Sequence, residues 1–112
     1  IEYAAYEWLC PRMAMVIHHA GSGTTTFGLR AGVPSCTVAF VFDEHYWGQR
    51  IAELGISPKL IRYRELTAQR LLEVIRFGVG NPPIRQRASE LEQSNQAEKG
   101  IENAVNIFEK ML

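Results

Sequence analysis

The feature that most constrains the fold is an apolar run followed by a glycine turn, a helical pattern and a second apolar run. The first run covers residues 13–17, and the turn is the glycine-bracketed tripeptide at 21–23. A helical pattern begins at Thr24 and stops where glycine and proline occupy positions 32 and 34. Residues 35–40 form the second apolar run. Two buried strands joined by a helix predict a right-handed βαβ crossover in a parallel sheet, and so an α/β fold.

The turn between the first predicted strand and its helix is a candidate anion site. Gly21 and Gly23 allow a sharp bend and a close approach of a ligand to the backbone. The first amides of a helix have no partner within it, and the helix dipole places partial positive charge there. The turn lacks the lysine of a P-loop, and Thr26 stands where a dinucleotide fingerprint has its third glycine. The turn alone therefore fits phosphate binding and a simple packing turn equally well.

The remainder of the chain alternates between strand and helix patterns separated by glycine, proline and polar residues. The predicted elements are a strand over 1–6, a helical turn over 8–12, a helix from an Asp43 cap to Gly55, a strand over 59–61, a helix from a Thr67 cap to Gly78, a loop at 81–83 and a helical tail over 84–112.

Charge and apolar patterning exclude several classes of protein. Twelve basic and twelve acidic residues balance, which argues against a nucleic-acid partner. We find neither a signal peptide nor an apolar run of transmembrane length, and two cysteines do not form a disulfide scaffold. The chain opens at Ile1, within the first predicted strand, so we expect it to be a piece of a longer protein.

Four segments, in order, resemble the donor-binding half of UDP-dependent glycosyltransferases of the GT-B fold, in particular the sterol 3-beta-glucosyltransferases and macrolide-type enzymes. These segments are EWLCPR at 7–12, HHAGSGTT at 18–25, GLRAGVP at 28–34 and DEHYWGQR at 43–50. The resemblance implies that residues 1–112 form part of a C-terminal donor domain. Its fold would be a partial doubly wound, Rossmann-like sheet with C-terminal helices, in strand order 3-2-1-4-5-6. The chain would carry the third to sixth strands and lack the first two, which lie at the centre of such a sheet. Taken alone, it should therefore tend to aggregate, and its helical tail should be the loosest part.

The resemblance also implies the contacts of a nucleotide-sugar donor. The residues implied for the diphosphate are His19, Gly21, Ser22, Gly23, Thr24 and Thr25. Asp43 would accept hydrogen bonds from hexose hydroxyls, and Glu44, where the family has glutamine, would lie beside it. Trp8 would pack on the nucleotide side.

Each of these residues also has a plain structural interpretation. His19 could bond to a backbone carbonyl, and Thr24 or Asp43 could simply cap a helix. Glu44 could point to solvent, and Trp8 could be a packing anchor. A metal site formed by His18, His19, Asp43 and His45 is disfavoured, because adjacent strand residues point to opposite faces.

The function implied is transfer of a hexose, with glucose expected, from a UDP-sugar to a hydroxyl of a lipophilic acceptor such as a sterol. The acceptor and the general base would lie on a domain outside this chain, so no catalytic residue is assigned. No metal or cofactor is expected, since the UDP-sugar is a co-substrate. We expect a cytoplasmic protein without a transmembrane segment, possessing at most a peripheral membrane association. The alternatives are a non-catalytic nucleotide-sugar-binding remnant and a nucleotide-sugar epimerase or hydrolase of the same fold.

Overall fold

A computed structural model describes residues 2–112 of the chain. Three strands alternate with helices along the sequence. The strands are β1 (Val16–His18), β2 (Ser35–Ala39) and β3 (Ile61–Arg62), and single-turn 3₁₀ helices cover Cys10–Arg12 and Tyr63–Glu65. The α-helices are α1 (Tyr6–Leu9), α2 (Ser22–Ala31), α3 (Asp43–Glu53), α4 (Ala68–Val79), α5 (Pro82–Ala97) and α6 (Gly100–Met111).

The three strands form a parallel sheet in the order β1-β2-β3. Ile17 pairs with Cys36, and Val38 pairs with Ile61. Helix α2 therefore lies in the crossover from β1 to β2, and α3 lies in the crossover from β2 to β3. The predicted βαβ unit and the α/β class are therefore confirmed. All five residues of the central strand β2 are buried, as expected for a parallel strand covered on both faces.

One face of β2 is apolar. Cys36 and Val38 form a buried cluster with Ile61, and Met15 and Val74 pack against it. Since Val74 belongs to α4, this helix covers that face of the sheet.

The opposite face of β2 is covered by helices that approach unusually closely. A Cβ at Gly48 of α3 would lie 2.8 Å from Cγ2 of Thr37, and one at Gly28 of α2 would lie 3.2 Å from Oγ of Ser35. A larger residue at position 48 would therefore push α3 away from the sheet. A second apolar cluster lies beyond this layer, where α5 packs against α2 and α3. Its members are Ile51, Ile56 and Ala88, with Leu29 and Leu91 against them.

The predicted strand over residues 1–6 is wrong within the part that the structure describes. Residues 2–5 have no regular structure and Tyr6 begins α1, while Ile1 lies outside the described residues. The alanines at positions 4 and 5 favour strands poorly, and no neighbouring strand pairs with this segment. The described sheet accordingly has three strands where four were predicted.

The predicted loop at 81–83 is also wrong. Asn81 is the N-cap of α5, since its Oδ1 accepts a hydrogen bond from the Ile84 amide at 3.4 Å, and Pro82 begins the helix. Proline suits this position because a first-turn amide has no intrahelical partner to lose. The predicted Thr67 cap is confirmed, with its Oγ1 accepting from the Arg70 amide at 3.1 Å.

The predicted helical tail consists of two different parts. Ile84 and Ala88 of α5 are buried, so this helix belongs to the packed domain. Every residue of α6 is exposed, including Ile101 and Phe108 on its apolar stripe.

His18, at the end of β1, is a buried histidine. Its Nδ1 accepts a hydrogen bond from the Ala20 amide at 3.0 Å, which places the ring proton on Nε2. That Nε2 is buried and has no partner among residues 2–112. Burial, with a smaller contribution from the charge of His19, lowers the pKa of His18 to about 4.

We expect the free energy of unfolding to fall by about 2 kcal/mol between pH 7 and pH 5 because of His18. Unfolded His18 binds a proton at its ordinary pKa of 6.5, whereas folded His18 does so only near pH 4. The stabilisation is therefore complete above the unfolded pKa and is lost as the pH falls towards the folded one. Urea unfolding at both pH values measures this loss. In His18→Asn the side-chain oxygen can still accept the Ala20 amide bond but cannot titrate, so an equal loss in both proteins would contradict the assignment.

Candidate functional site

The loops that follow β1 and β2 meet at the carboxyl edge of the sheet, where doubly wound folds bind ligands. Each loop contains a residue other than glycine with positive φ: Ala20 at 68° after β1, and Phe42 at 45° after β2. Backbone strain of this kind is concentrated at functional sites and persists only where the surroundings impose it. The two strained residues therefore mark this edge as the candidate site.

The first loop presents the N-terminus of α2 at this edge. Ala20 is fully buried, Gly21 is the N-cap, and the first intrahelical bond runs from the Thr25 amide to the Gly21 carbonyl at 2.9 Å. The helix thus begins at Ser22, two residues before the predicted Thr24 start. The amides of Ser22, Gly23 and Thr24 precede that first bond and face out of the helix end, where an anion is favoured.

His19 lies beside this helix end. Its side chain is exposed, and its ring lies against Gly21, where an added Cβ would come within 2.5 Å of the ring Nε2. Glycine at position 21 therefore makes room for the imidazole. The structure brings His19 and the free amides of α2 to the same place.

Gly23 differs from Gly21, because an added Cβ there would meet no atom within 4 Å. It has an ordinary helical conformation, so neither backbone strain nor packing within residues 2–112 requires glycine. The missing side chain leaves open space beside the first turn of α2, and a ligand can approach the backbone closely there.

The two threonines implied for the diphosphate lie in different surroundings. Thr24 is half-buried and, with His18 and His19, lines a cavity of about 370 Å³. Thr25 is buried, its Oγ1 has no hydrogen-bond partner within residues 2–112, and it lines a separate cleft of about 270 Å³ between α2 and α3. Thr24 thus shares the His19 side of the helix end, while contact of Thr25 with a diphosphate stays a prediction.

In the second loop, Glu44 has a role that the sequence analysis missed. Its Oε2 accepts hydrogen bonds from the amides of Phe40 at 2.7 Å and Val41 at 3.0 Å, which fixes the loop. These two bonds, that from Phe40 first, hold the pKa of Glu44 below its ordinary value. An acidic residue in the first turn of a helix is the sequence signal for such a back-reaching contact. The side chain does not simply point to solvent, and its sugar contact stays a prediction.

Asp43, next to Glu44, has a free carboxylate. It is the first residue of α3, with Phe42 at the cap position, and its side chain caps no amide. Its carboxylate makes no hydrogen bond or ion pair to any other residue in the described range. The predicted Asp43 cap is therefore wrong, and its acceptor oxygens are available to a ligand.

Trp8, on α1, is not a packing anchor. Its side chain is 61% exposed, and the guanidinium of Arg12 covers one ring face at 4.3 Å from the centroid. The nucleotide-side role of Trp8 stays a prediction.

Charged groups elsewhere form solvated pairs, such as Arg70 with Glu65 at 3.0 Å. Within residues 2–112 no three His, Cys, Asp or Glu side chains are grouped as metal ligands would be. Over the same residues, no helix has the length and apolarity needed to cross a bilayer.

Comparison with known proteins identifies relatives that are much longer than this chain. The chain is 37% identical over 112 residues to a sterol 3-beta-glucosyltransferase of Arabidopsis thaliana, covering 100% of the chain and 18% of the relative. It is 36% identical over 107 residues to the O-mycaminosyltylonolide 6-deoxyallosyltransferase of Streptomyces fradiae, covering 96% of the chain and 25% of the relative. The chain therefore spans about a fifth to a quarter of these two proteins.

A solved structure gives the same result for the fold. The glycosyltransferase VinC, in complex with DTDP, matches with a TM-score of 0.77 and 30% identity, over 87% of this chain and 24% of that one. The predicted partial GT-B donor fold is thereby confirmed. The profile of the erythromycin biosynthesis protein CIII-like C-terminal domain matches residues 2–111. Since that match spans nearly the whole chain, the chain belongs to this family of C-terminal domains of UDP-dependent glycosyltransferases.

Proposed function

We propose that this chain binds the nucleotide-sugar donor of a glycosyltransferase that moves a hexose from a UDP-sugar to a hydroxyl of a lipophilic acceptor such as a sterol. The observation that carries the proposal is the open N-terminus of α2, where free amides, the ring of His19 and the space over Gly23 converge. The named activities of the relatives, and the nucleotide diphosphate in the VinC complex, support it.

The donor diphosphate lies over Gly23 in this proposal. The amides of α2 and the His19 imidazole donate hydrogen bonds to its oxygens, and the Thr24 hydroxyl adds a further donor. Such donors act most strongly on the charge that develops as the bond to the sugar breaks. The chain thus assists departure of the nucleotide diphosphate.

The hexose lies towards the second loop. Asp43 orients it, because a free carboxylate accepts several hydrogen bonds from sugar hydroxyls and donates none. Glu44 fixes the loop that carries Asp43, and its second oxygen remains available to the sugar. Holding the anomeric carbon in line with an incoming hydroxyl reduces the entropy cost of the displacement.

The reaction is an inverting displacement at the anomeric carbon. An acceptor hydroxyl loses its proton to a general base and attacks as the nucleotide diphosphate leaves. We assign no residue of this chain as that base. The base, the body of the acceptor site and the cytoplasmic location belong to the full-length protein and are part of the proposal.

Two other functions use the same geometry. A nucleotide-sugar-binding remnant would bind UDP without transferring sugar, and an epimerase or hydrolase would convert the UDP-sugar without an acceptor. Assaying the full-length protein with UDP-glucose, with and without a sterol, distinguishes the three. A steryl glucoside formed only with both substrates supports transfer. UDP binding without turnover, or acceptor-independent loss of UDP-glucose, would contradict it.

The Gly23→Ala substitution should weaken UDP binding by about tenfold or more without destabilising the protein. The new methyl group fills the ligand's space, whereas alanine favours the helix by roughly 0.5–1 kcal/mol. Calorimetric titration with UDP and a thermal unfolding curve measure the two effects. Gly100→Ala is the matched control, since its Cβ also meets nothing within 4 Å and it begins α6, outside the first turn of α2. If the Gly23 variant and wild type bind UDP with equal affinity, UDP does not bind at this helix end.

The His19→Ala and Thr24→Ala substitutions should each reduce UDP affinity by about 1.5–3 kcal/mol, the usual cost of a lost charge-assisted hydrogen bond. The thermal midpoint should change little, because His19 is exposed and Thr24 is only half-buried. Thr26→Ala, on the same helix, is the control, because its Oγ1 donates to the Ser22 carbonyl at 2.9 Å. A Thr26 effect as large as the other two would indicate a general disturbance of α2.

Substitutions at Asp43 and Glu44 should affect the sugar more than the nucleotide. Asp43→Asn should lower turnover with UDP-glucose at least tenfold, because an amide offers fewer acceptor lone pairs than a carboxylate. Glu44→Gln should change turnover or the preference among UDP-hexoses while UDP affinity stays within about twofold, since the amide oxygen can still hold the loop. Initial rates with a set of UDP-hexoses measure both effects. Donor profiles identical to wild type in both variants would show that this loop does not contact the sugar.

A further inference from the structure

The loop after β2 exposes three consecutive apolar side chains. The exposed fractions are 51% for Phe40, 51% for Val41 and 90% for Phe42. Consecutive apolar residues on a surface are unfavourable unless something binds them. Phe40 has a partner, since its ring stacks on Tyr63 with centroids 4.4 Å apart. The Phe42 ring has no aromatic partner within the described chain and projects into solvent.

Phe42 also has a backbone conformation that favours glycine. Its φ of 45° and ψ of −122° are close to those of the first central residue of a type II′ turn, and the Glu44 amide closes that turn onto the Val41 carbonyl at 3.2 Å. Glycine adopts this conformation without steric cost, whereas phenylalanine is strained. Nothing in the packing of residues 2–112 requires the ring, so the strain stabilises no contact within them.

The strained loop is nevertheless held firmly. The Glu44 carboxylate accepts bonds from the amides of Phe40 and Val41, and the stacking of Phe40 on Tyr63 fixes the other side. The backbone that carries Phe42 is therefore held in place, with the side chain on the solvent side of the loop. Phe42 directly precedes Asp43, whose carboxylate is free, at the carboxyl edge of β2.

We infer that Phe42 is a specificity-determining residue that contacts the apolar body of the acceptor. This inference rests on the proposed function. Asp43 accepts the hydroxyls of the hexose, whereas Val41 and Phe42, beside it in the loop, are exposed apolar side chains that suit an apolar acceptor such as a sterol. The two relatives named above act, by their names, on a sterol and on mycaminosyltylonolide. The donor-binding half thus contributes part of the acceptor site.

The test compares Phe42→Ala and Phe42→Gly in the full-length protein, with cholesterol as acceptor probe and UDP-glucose as donor. Both variants should raise the KM for cholesterol about tenfold, the size expected for one lost aromatic contact, and change the KM for UDP-glucose less than twofold. Phe42→Gly should also raise the thermal midpoint, because it relieves the strain. Phe77→Ala is the control, because Phe77 is also an exposed phenylalanine (49%) but lies at the opposite, amino edge of the sheet. It is in the last turn of α4, and the adjacent Gly78 lies against Met15, just before β1.

If the full-length protein is active, three results would overturn the inference. An unchanged KM for cholesterol would show that Phe42 does not contact the acceptor. An increase only in the KM for UDP-glucose would show that the ring contacts the donor sugar. A lower thermal midpoint in both variants shows that the ring is packed against another part of the protein or a second copy.

If wild type transfers no sugar, the proposed function fails by itself, and radiolabelled cholesterol binding in the presence of UDP still decides the inference. Binding by wild type that is lost in Phe42→Ala and kept in Phe77→Ala supports it; equal binding, or none to wild type, overturns it.

Discussion

The parallel pairing of β1 with β2 determines where the helices and loops around the sheet lie. Parallel strands require a crossover, and the crossover returns each strand's carboxyl end to the same edge of the sheet. The loop before α2 and the loop before α3 are therefore neighbours, although Gly23 and Asp43 are twenty residues apart in sequence. The free amides at the start of α2 and the free carboxylate of Asp43 therefore lie at the same edge of the sheet.

The close contact of α2 and α3 with the sheet makes that edge rigid. Gly28 and Gly48 allow both helices to lie against the buried hydroxyl-bearing face of β2. With the helices fixed, the short loops must turn sharply, and Ala20 and Phe42 take up the strain with positive φ. The strain is thus a consequence of where the helices must start, and it fixes the groups at this edge of the sheet.

The sequence predicts the crossover because glycine and proline delimit its elements. It predicts the candidate site because a glycine turn before a helix leaves the first amides of that helix accessible to an anion. The strand predicted over residues 1–6 is wrong, since a short apolar segment forms a strand only where a partner strand is available. The loop predicted at residues 81–83 is wrong because proline can begin a helix as well as end one. The Glu44 contacts and the different roles of Gly21 and Gly23 depend on three-dimensional approach, which no local pattern records.

A crystal structure of the full-length protein with UDP would show directly whether the donor binds at the N-terminus of α2. We expect the diphosphate to lie over Gly23, with its oxygens about 2.7–3.2 Å from the amides of the first turn of α2 and within hydrogen-bonding reach of His19. We also expect Ala20 to keep its positive φ. Electron density for the diphosphate elsewhere, with water alone at the helix end, would show that this helix end is not the donor site.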